Sequence, residues 1–170
     1  MKNLILVGFM GSGKTSAGRL AAKRLGLKFV DMDNLLEQRL GRTISKVFET
    51  DGEAFFRQHE RELVRELTAR QDHCIATGGG VVLDPNNLRD LGRTGIIVCC
   101  WVDASVAHER TKAAKHRPLL EADADRRARL EALLKVREPM YRAIPNQIDT
   151  SAMTVEQQAD AIELMYRERS

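Results

Sequence analysis

Gly8-Phe9-Met10-Gly11-Ser12-Gly13-Lys14-Thr15 is preceded by the apolar run Asn3-Leu4-Ile5-Leu6-Val7 and followed by a helical pattern with Ala17, Leu20, Ala21 and Leu25. Glycine, four residues, then glycine, lysine and serine or threonine is the spacing of a phosphate-binding loop, which needs a strand before it and a helix after it. Glycines let the backbone bend tightly, so that several N–H groups point into one concavity. The first turn of the helix adds unpaired N–H groups and the positive end of its dipole. Lys14 brings a full positive charge to the terminal phosphates, and Thr15 offers a hydroxyl to Mg²⁺. The stretch therefore predicts nucleoside triphosphate binding.

The 170 residues suit one domain with a substantial core, over residues 1–170. With 43% hydrophobic and 30% charged residues the composition is that of an ordinary globular protein. The net charge of +3 is too small to argue for a nucleic-acid partner. Locally, Arg110, Lys112, Lys115, His116 and Arg117 form a basic cluster, which in most proteins is a solvated face. Cys74, Cys99 and Cys100 have no metal-ligand spacing and lie in apolar runs, so they read as core residues in a reducing compartment. No stretch approaches membrane-spanning length, and the short apolar amino terminus lacks the form of a signal peptide. A cytoplasmic location without membrane association is expected.

Outward from the loop, a helix is predicted from Lys14 to Leu25, ended by Gly26. Gly18 inside it implies close approach of helix and sheet. A short strand, Lys28-Phe29-Val30, leads into Asp31-Met32-Asp33 and a helical pattern stopped by Gly41. Thr43 caps a short helix, and a longer one is predicted from about Glu53 to Arg70 with Phe56, Leu63 and Leu67 on its apolar stripe. Glu60 falls on that stripe, with Arg57 three residues earlier; the pair is either an inward ion pair or a surface pair at the stripe's margin.

His73 to Thr77 reads as a strand running into Gly78-Gly79-Gly80, at the carboxyl edge where open α/β sheets bind ligands. Asp84-Pro85 starts a helix, and Gly95 to Val102 is an unbroken apolar strand covered on both faces. Asp103 either holds Mg²⁺ through water or caps the helix at Ala104, the cap being the commoner role. Residues 112–123 lose periodicity and carry Arg117-Pro118-Leu119-Leu120, a loop long enough to be a lid. A helix from about Asp125 to Arg137 should end before Pro139. A fifth strand at Asn146–Asp149 and a last helix capped by Thr154 complete the chain. Strands alternating with helices predict a parallel sheet with helices on both faces, a P-loop kinase-like architecture.

The chain lacks Asn-Lys-x-Asp for guanine reading, and lacks the His-Arg-Asp and Asp-Phe-Gly of a protein kinase. Asp31 and Asp33, at alternate positions past a strand end, suit one metal-facing and one acceptor-facing carboxylate, or are turn and helix-cap residues. Arg57 and Arg137 are fork-shaped donors for a carboxylate or phosphate, so an acceptor facing both is an anion.

Taken together, Gly11-Ser12-Gly13-Lys14-Thr15, Asp31-Met32-Asp33, Phe56-Arg57-Gln58-His59-Glu60, Gly78-Gly79-Gly80, Arg117-Pro118-Leu119-Leu120, and Arg137 with Tyr141 make the chain resemble the shikimate kinase family over nearly its whole length. The resemblance implies a three-layer α/β/α fold with five parallel strands in the order 2-3-1-4-5, a substrate-binding helical region at about 31–60 and a mobile lid at about 112–123. It implies a monomeric enzyme that transfers a phosphoryl group from ATP to shikimate with Mg²⁺, in aromatic amino acid biosynthesis. Asp33 would bind the ring hydroxyls and act as base; Arg57 and Arg137 would hold the carboxylate, with Glu60 orienting them and Gly79 and Gly80 presenting N–H groups. Gly11, Ser12, Gly13, Lys14, Thr15 and Ser16 would hold the ATP phosphates, Thr15 and (through water) Asp31 the metal. Arg117 would meet the phosphates and Arg110 would lie near the nucleotide. One departure is the loop after the last strand, Ser151-Ala152-Met153, where many relatives carry an arginine and a proline beside adenine. Rival readings are a kinase for another hydroxy acid such as gluconate, a non-catalytic ATP-binding regulator and, on the basic lid alone, a nucleic-acid binder.

Overall fold

Strands β1 (Asn3–Val7), β2 (Lys28–Asp31), β3 (His73–Ala76), β4 (Gly95–Trp101) and β5 (Gln147–Asp149) form one parallel sheet in the order β2-β3-β1-β4-β5 in the computed structural model. The structure describes residues 1–112 and 123–170. Helices α1 (Lys14–Leu25), α2 (Met32–Leu40), α3 (Ile44–Asp51), α4 (Glu53–Thr68), α5 (Pro85–Thr94), α6 (Ala104–Thr111), α7 (Asp123–Arg142) and α8 (Val155–Arg169) lie between and around the strands. The fold is the three-layer arrangement expected. Most of the expected lid lies outside the described residues.

The two-residue period of β1 divides the core. Leu4 and Leu6 face one layer with Cys74, Val98 and Cys100, covered by Ala17 and Ala21 of α1 and by Ala159 and Ile162 of α8. Ile5 and Val7 face the other with Ile75, Cys99 and Trp101, covered by α2 to α7 through residues such as Leu36, Leu63, Leu91 and Leu134. Small residues on α1 bring it close to the sheet. A methyl group on Gly18 would lie only 2.5 Å from Leu6 Cδ1, so glycine is there for space.

Helix α7 corrects an expectation. It does not stop before Pro139 but runs through it to Arg142. An interior proline costs about 3 kcal/mol, because it removes one helical hydrogen bond and its ring crowds the preceding turn. Here Pro139 and Lys135, whose carbonyl loses its partner, are both exposed, so water can satisfy that oxygen. Leu134 and Tyr141, buried on either side, hold both halves of the helix against the core. Tertiary packing outweighs the local preference.

Candidate active site

The strand-to-helix turns at the carboxyl edges of β1, β2 and β3 converge. Gly13 is the N-cap of α1 with φ +89°, a left-handed conformation that favours glycine, and with no side-chain cap it leaves the first amides of α1 open to a ligand. Lys14 is buried and folds back over the loop, donating to the carbonyls of Gly8 at 2.7 Å and Phe9 at 2.9 Å and to Ser12 Oγ at 3.3 Å. Gly11, Gly13, Lys14, Thr15, Ser16 and Arg110 line a cleft of about 490 Å³, while Ser12 is buried beneath it.

Asp31 closes β2 and caps α2. One carboxylate oxygen accepts from the Asn34 amide at 3.1 Å, and the other accepts from Thr15 Oγ1 at 2.7 Å. The cap and metal-facing readings thus share one side chain. Two hard oxygen donors beside the phosphate loop fit Mg²⁺, which is usually held by one or two protein oxygens with phosphates and water. Among the described residues no group of three or more His, Cys, Asp and Glu offers a cage for a metal ion.

The run Gly78-Gly79-Gly80 lies at the head of the 3₁₀ turn Gly79–Leu83 and is pressed by charged groups from three directions. A methyl on Gly78 would stand 2.6 Å from Asp33 Oδ1 and 3.4 Å from Glu60 Oε2. One on Gly79 would stand 3.3 Å from Arg137 Nη1 and 3.7 Å from the Gly8 carbonyl, and one on Gly80 would collide with the Arg57 guanidinium. Side chains here would fill the space that these groups share. Asp33, Arg57, Glu60 and Arg137 therefore meet beside the first residue of the phosphate loop.

Glu60 is the inward partner of Arg57, not a surface one. It is buried and accepts from Arg57 Nη1 at 2.8 Å. Burial raises its pKa above the usual carboxylate value; Arg57 and Arg137 oppose the rise and Asp33 adds to it. Arg57 also packs with its guanidinium carbon 5.2 Å from the centre of the Phe56 ring and bonds Glu53 at 3.2 Å. On α7, Arg137 and Tyr141 are buried together, and the Tyr141 hydroxyl donates to the Gly79 carbonyl at 2.6 Å.

Arg110 lines the phosphate-loop cleft, and Asp103 departs from the cap reading. Arg110 is not on a solvated basic face: it donates to the carbonyls of Gly11 at 3.2 Å and Thr150 at 2.7 Å, tying the phosphate loop to the loop after β5. Carbonyl oxygens have two lone pairs, and a guanidinium fork reaches the carbonyls of both turns. Lys112 bonds Glu109, while Lys115, His116 and Arg117, the expected phosphate contact, lie outside the described residues. Asp103 occupies the N-cap position of α6 but gives no side-chain cap; its carboxylate instead accepts from Trp101 Nε1 at 3.3 Å. The indole donor, buried with its ring, has the stronger need of a partner than a helix end near water.

Met10, Met153, Thr154, Val155 and Gln158, none of them singled out by the motifs, complete the lining of the cleft. The signal was the cap at Thr154, which places Gln158 one turn into α8, where its amide donates to the Met153 carbonyl at 3.2 Å. A second hollow of about 510 Å³ opens at the amino edge of β4, lined by Leu88, Ile96, Ile97 and Ile144, far from any phosphate-binding backbone.

The family model described as shikimate kinase matches residues 10–166. A shikimate kinase of Thermodesulfovibrio yellowstonii is 42% identical over 170 residues, covering 100% of this chain and 98% of the relative. One from Pelotomaculum thermopropionicum is 41% identical, covering 95% of this chain and 94% of its own. The solved shikimate kinase of Acinetobacter baumannii in complex with shikimate superposes with a TM-score of 0.91 at 36% identity, over 99% of this chain and 95% of that one. A gluconokinase from Sinorhizobium meliloti shares the fold alone, at 15% identity and a TM-score of 0.58. By these matches and by the convergence of its glycine run, arginines and phosphate loop, the chain belongs to the shikimate kinase family.

Proposed function

We propose that this protein transfers the γ-phosphoryl group of ATP to the 3-hydroxyl of shikimate, as a cytoplasmic, monomeric enzyme of aromatic amino acid biosynthesis. The observation that carries the reading is the meeting of Asp33, Arg57, Glu60 and Arg137 on Gly78–Gly80, against Gly8 of the phosphate loop.

The acceptor's carboxylate lies between the Arg57 and Arg137 forks, and its ring hydroxyls face Asp33. Asp33 takes the proton of the 3-hydroxyl as that oxygen bonds to the γ-phosphorus and the bond to the β–γ bridging oxygen breaks, leaving ADP. The transition state is loose, so position and charge neutralisation carry most of the catalysis. Lys14 leaves the Gly8 and Phe9 carbonyls for the phosphates, joined by the open amides of α1. Thr15 and, through water, Asp31 would hold Mg²⁺, which when bound would further neutralise the triphosphate charge. Arg110 ties the phosphate loop to the loop after β5, and Arg117 completes the phosphate contacts.

A coupled ADP-release assay with shikimate, gluconate and other hydroxy acids tests the reading; Mg²⁺-dependent turnover confined to shikimate is expected. Turnover on gluconate alone, or none with any acid, would sink it. Lys14→Ala and Asp33→Asn should lower kcat mainly. Arg137→Ala should weaken shikimate by about 2–5 kcal/mol, read as a raised KM, because the buried carboxylate loses its partner.

A further inference from the structure

Tyr141 is the side chain at the acceptor site to which the proposed reaction gives no task. It lies four residues past Arg137 on α7, so the two project from one face of the helix. Its ring is fully buried, and its hydroxyl donates to the Gly79 carbonyl at 2.6 Å. The Arg137 guanidinium lies near the phenol oxygen and acts on it by its charge. A methyl on Gly79 would meet Arg137 Nη1 at 3.3 Å and Tyr141 Oη at 3.6 Å, so glycine, guanidinium and phenol occupy one layer.

One oxygen thus joins two elements. A phenol has a single O–H to donate and lone pairs with which to accept. The donor goes to Gly79, and the accepting side is left for Arg137. Arg137 Nε is buried without a hydrogen-bond partner among the described residues, which leaves the Nη end as the part of the fork that a neighbour can steady. A long guanidinium stem has many rotamers, and a binding site gains affinity when they are restricted beforehand.

We propose that Tyr141 is a positioning residue for the acceptor: its hydroxyl sets the Arg137 fork against the Gly78–Gly80 run before the acceptor binds. The inference rests on the reading of Arg137 as the partner of the acceptor's carboxylate. Burial pushes the phenol's pKa up to about 12, so the hydroxyl keeps its donor proton at ordinary pH.

Tyr141→Phe removes one oxygen and keeps the ring that fills the core. It should raise the KM for shikimate about tenfold, with kcat within about threefold and the KM for ATP unchanged. In an Arg137→Ala background the same change should add less than about twofold, because the group being positioned is gone. The rise in thermal midpoint given by shikimate should shrink in Tyr141→Phe, each variant being compared with its own unliganded form. An unchanged KM and an unchanged shikimate-induced rise, in a protein where Arg137→Ala does raise KM, would overturn the proposal. So would equal factors in both backgrounds, which would mean that the hydroxyl serves only the fold. An Arg137→Ala enzyme with the original KM would instead remove the underlying reading, so the two failures are distinguishable.

Discussion

Glu60 is a carboxylate almost without solvent, bonded to Arg57 and under the charges of Arg137 and Asp33 as well. Its pKa in the fold is raised above 4.5, with burial the largest cause. The folded chain therefore holds this proton to higher pH than the unfolded chain does. The resulting contribution to stability is complete below about 4.5 and is lost as pH rises through the folded value. Glu60→Gln has no such titration. Urea midpoints of both proteins between pH 4 and 8 should show the native protein losing ground to Glu60→Gln as pH rises; a difference that grows in the native protein's favour would contradict this. Spacing placed Glu60 on an apolar stripe with Arg57 in reach, and the sequence went no further. Whether that stripe's edge is wet depends on α2 and the glycine run, which approach from elsewhere in the chain.

At the scale of elements, most boundaries were legible because their signals are local: Gly26 and Gly41 as left-handed stops, Thr43, Asp84 and Thr154 as caps. Helix α7 was misread because its signal is local and its cause is not. Pro139 argues for a stop, and burial of Leu134, Arg137 and Tyr141 on one face argues for continuation. Pro139→Ala gives back an N–H for the Lys135 carbonyl and relieves the crowding of the ring, against a smaller gain in unfolded-chain freedom. It should stabilise the protein by about 1–3 kcal/mol, raising the thermal midpoint by several degrees. A lower midpoint would mean that the packing of α7 needs the bend that proline imposes.

For the whole molecule, the sheet sorts side chains by register. Cys74 on β3 and Cys99 and Cys100 on β4 are buried on both faces of its centre. Burial lifts their thiols to about 12, 11 and 12 respectively, so little thiolate exists near neutral pH. Reaching any of them requires opening the central strands, which in a cooperative domain is global unfolding. A thiol reagent should leave the native protein unmodified and label all three together at the unfolding rate; rapid labelling of one would show a locally open strand.

The loop Gly8–Thr15, the alternation of strands with helices and the glycine run were decided by short stretches, because backbone conformation and hydrophobic period are set by neighbours in sequence. The contents of the site were not. That Arg110 turns inward to Gly11, that Asp103 serves Trp101, and that Tyr141 joins Gly79 to the Arg137 side depend on groups far apart in the chain. Each polar group takes the partner that burial leaves within reach, and only the packed fold determines which partner that is.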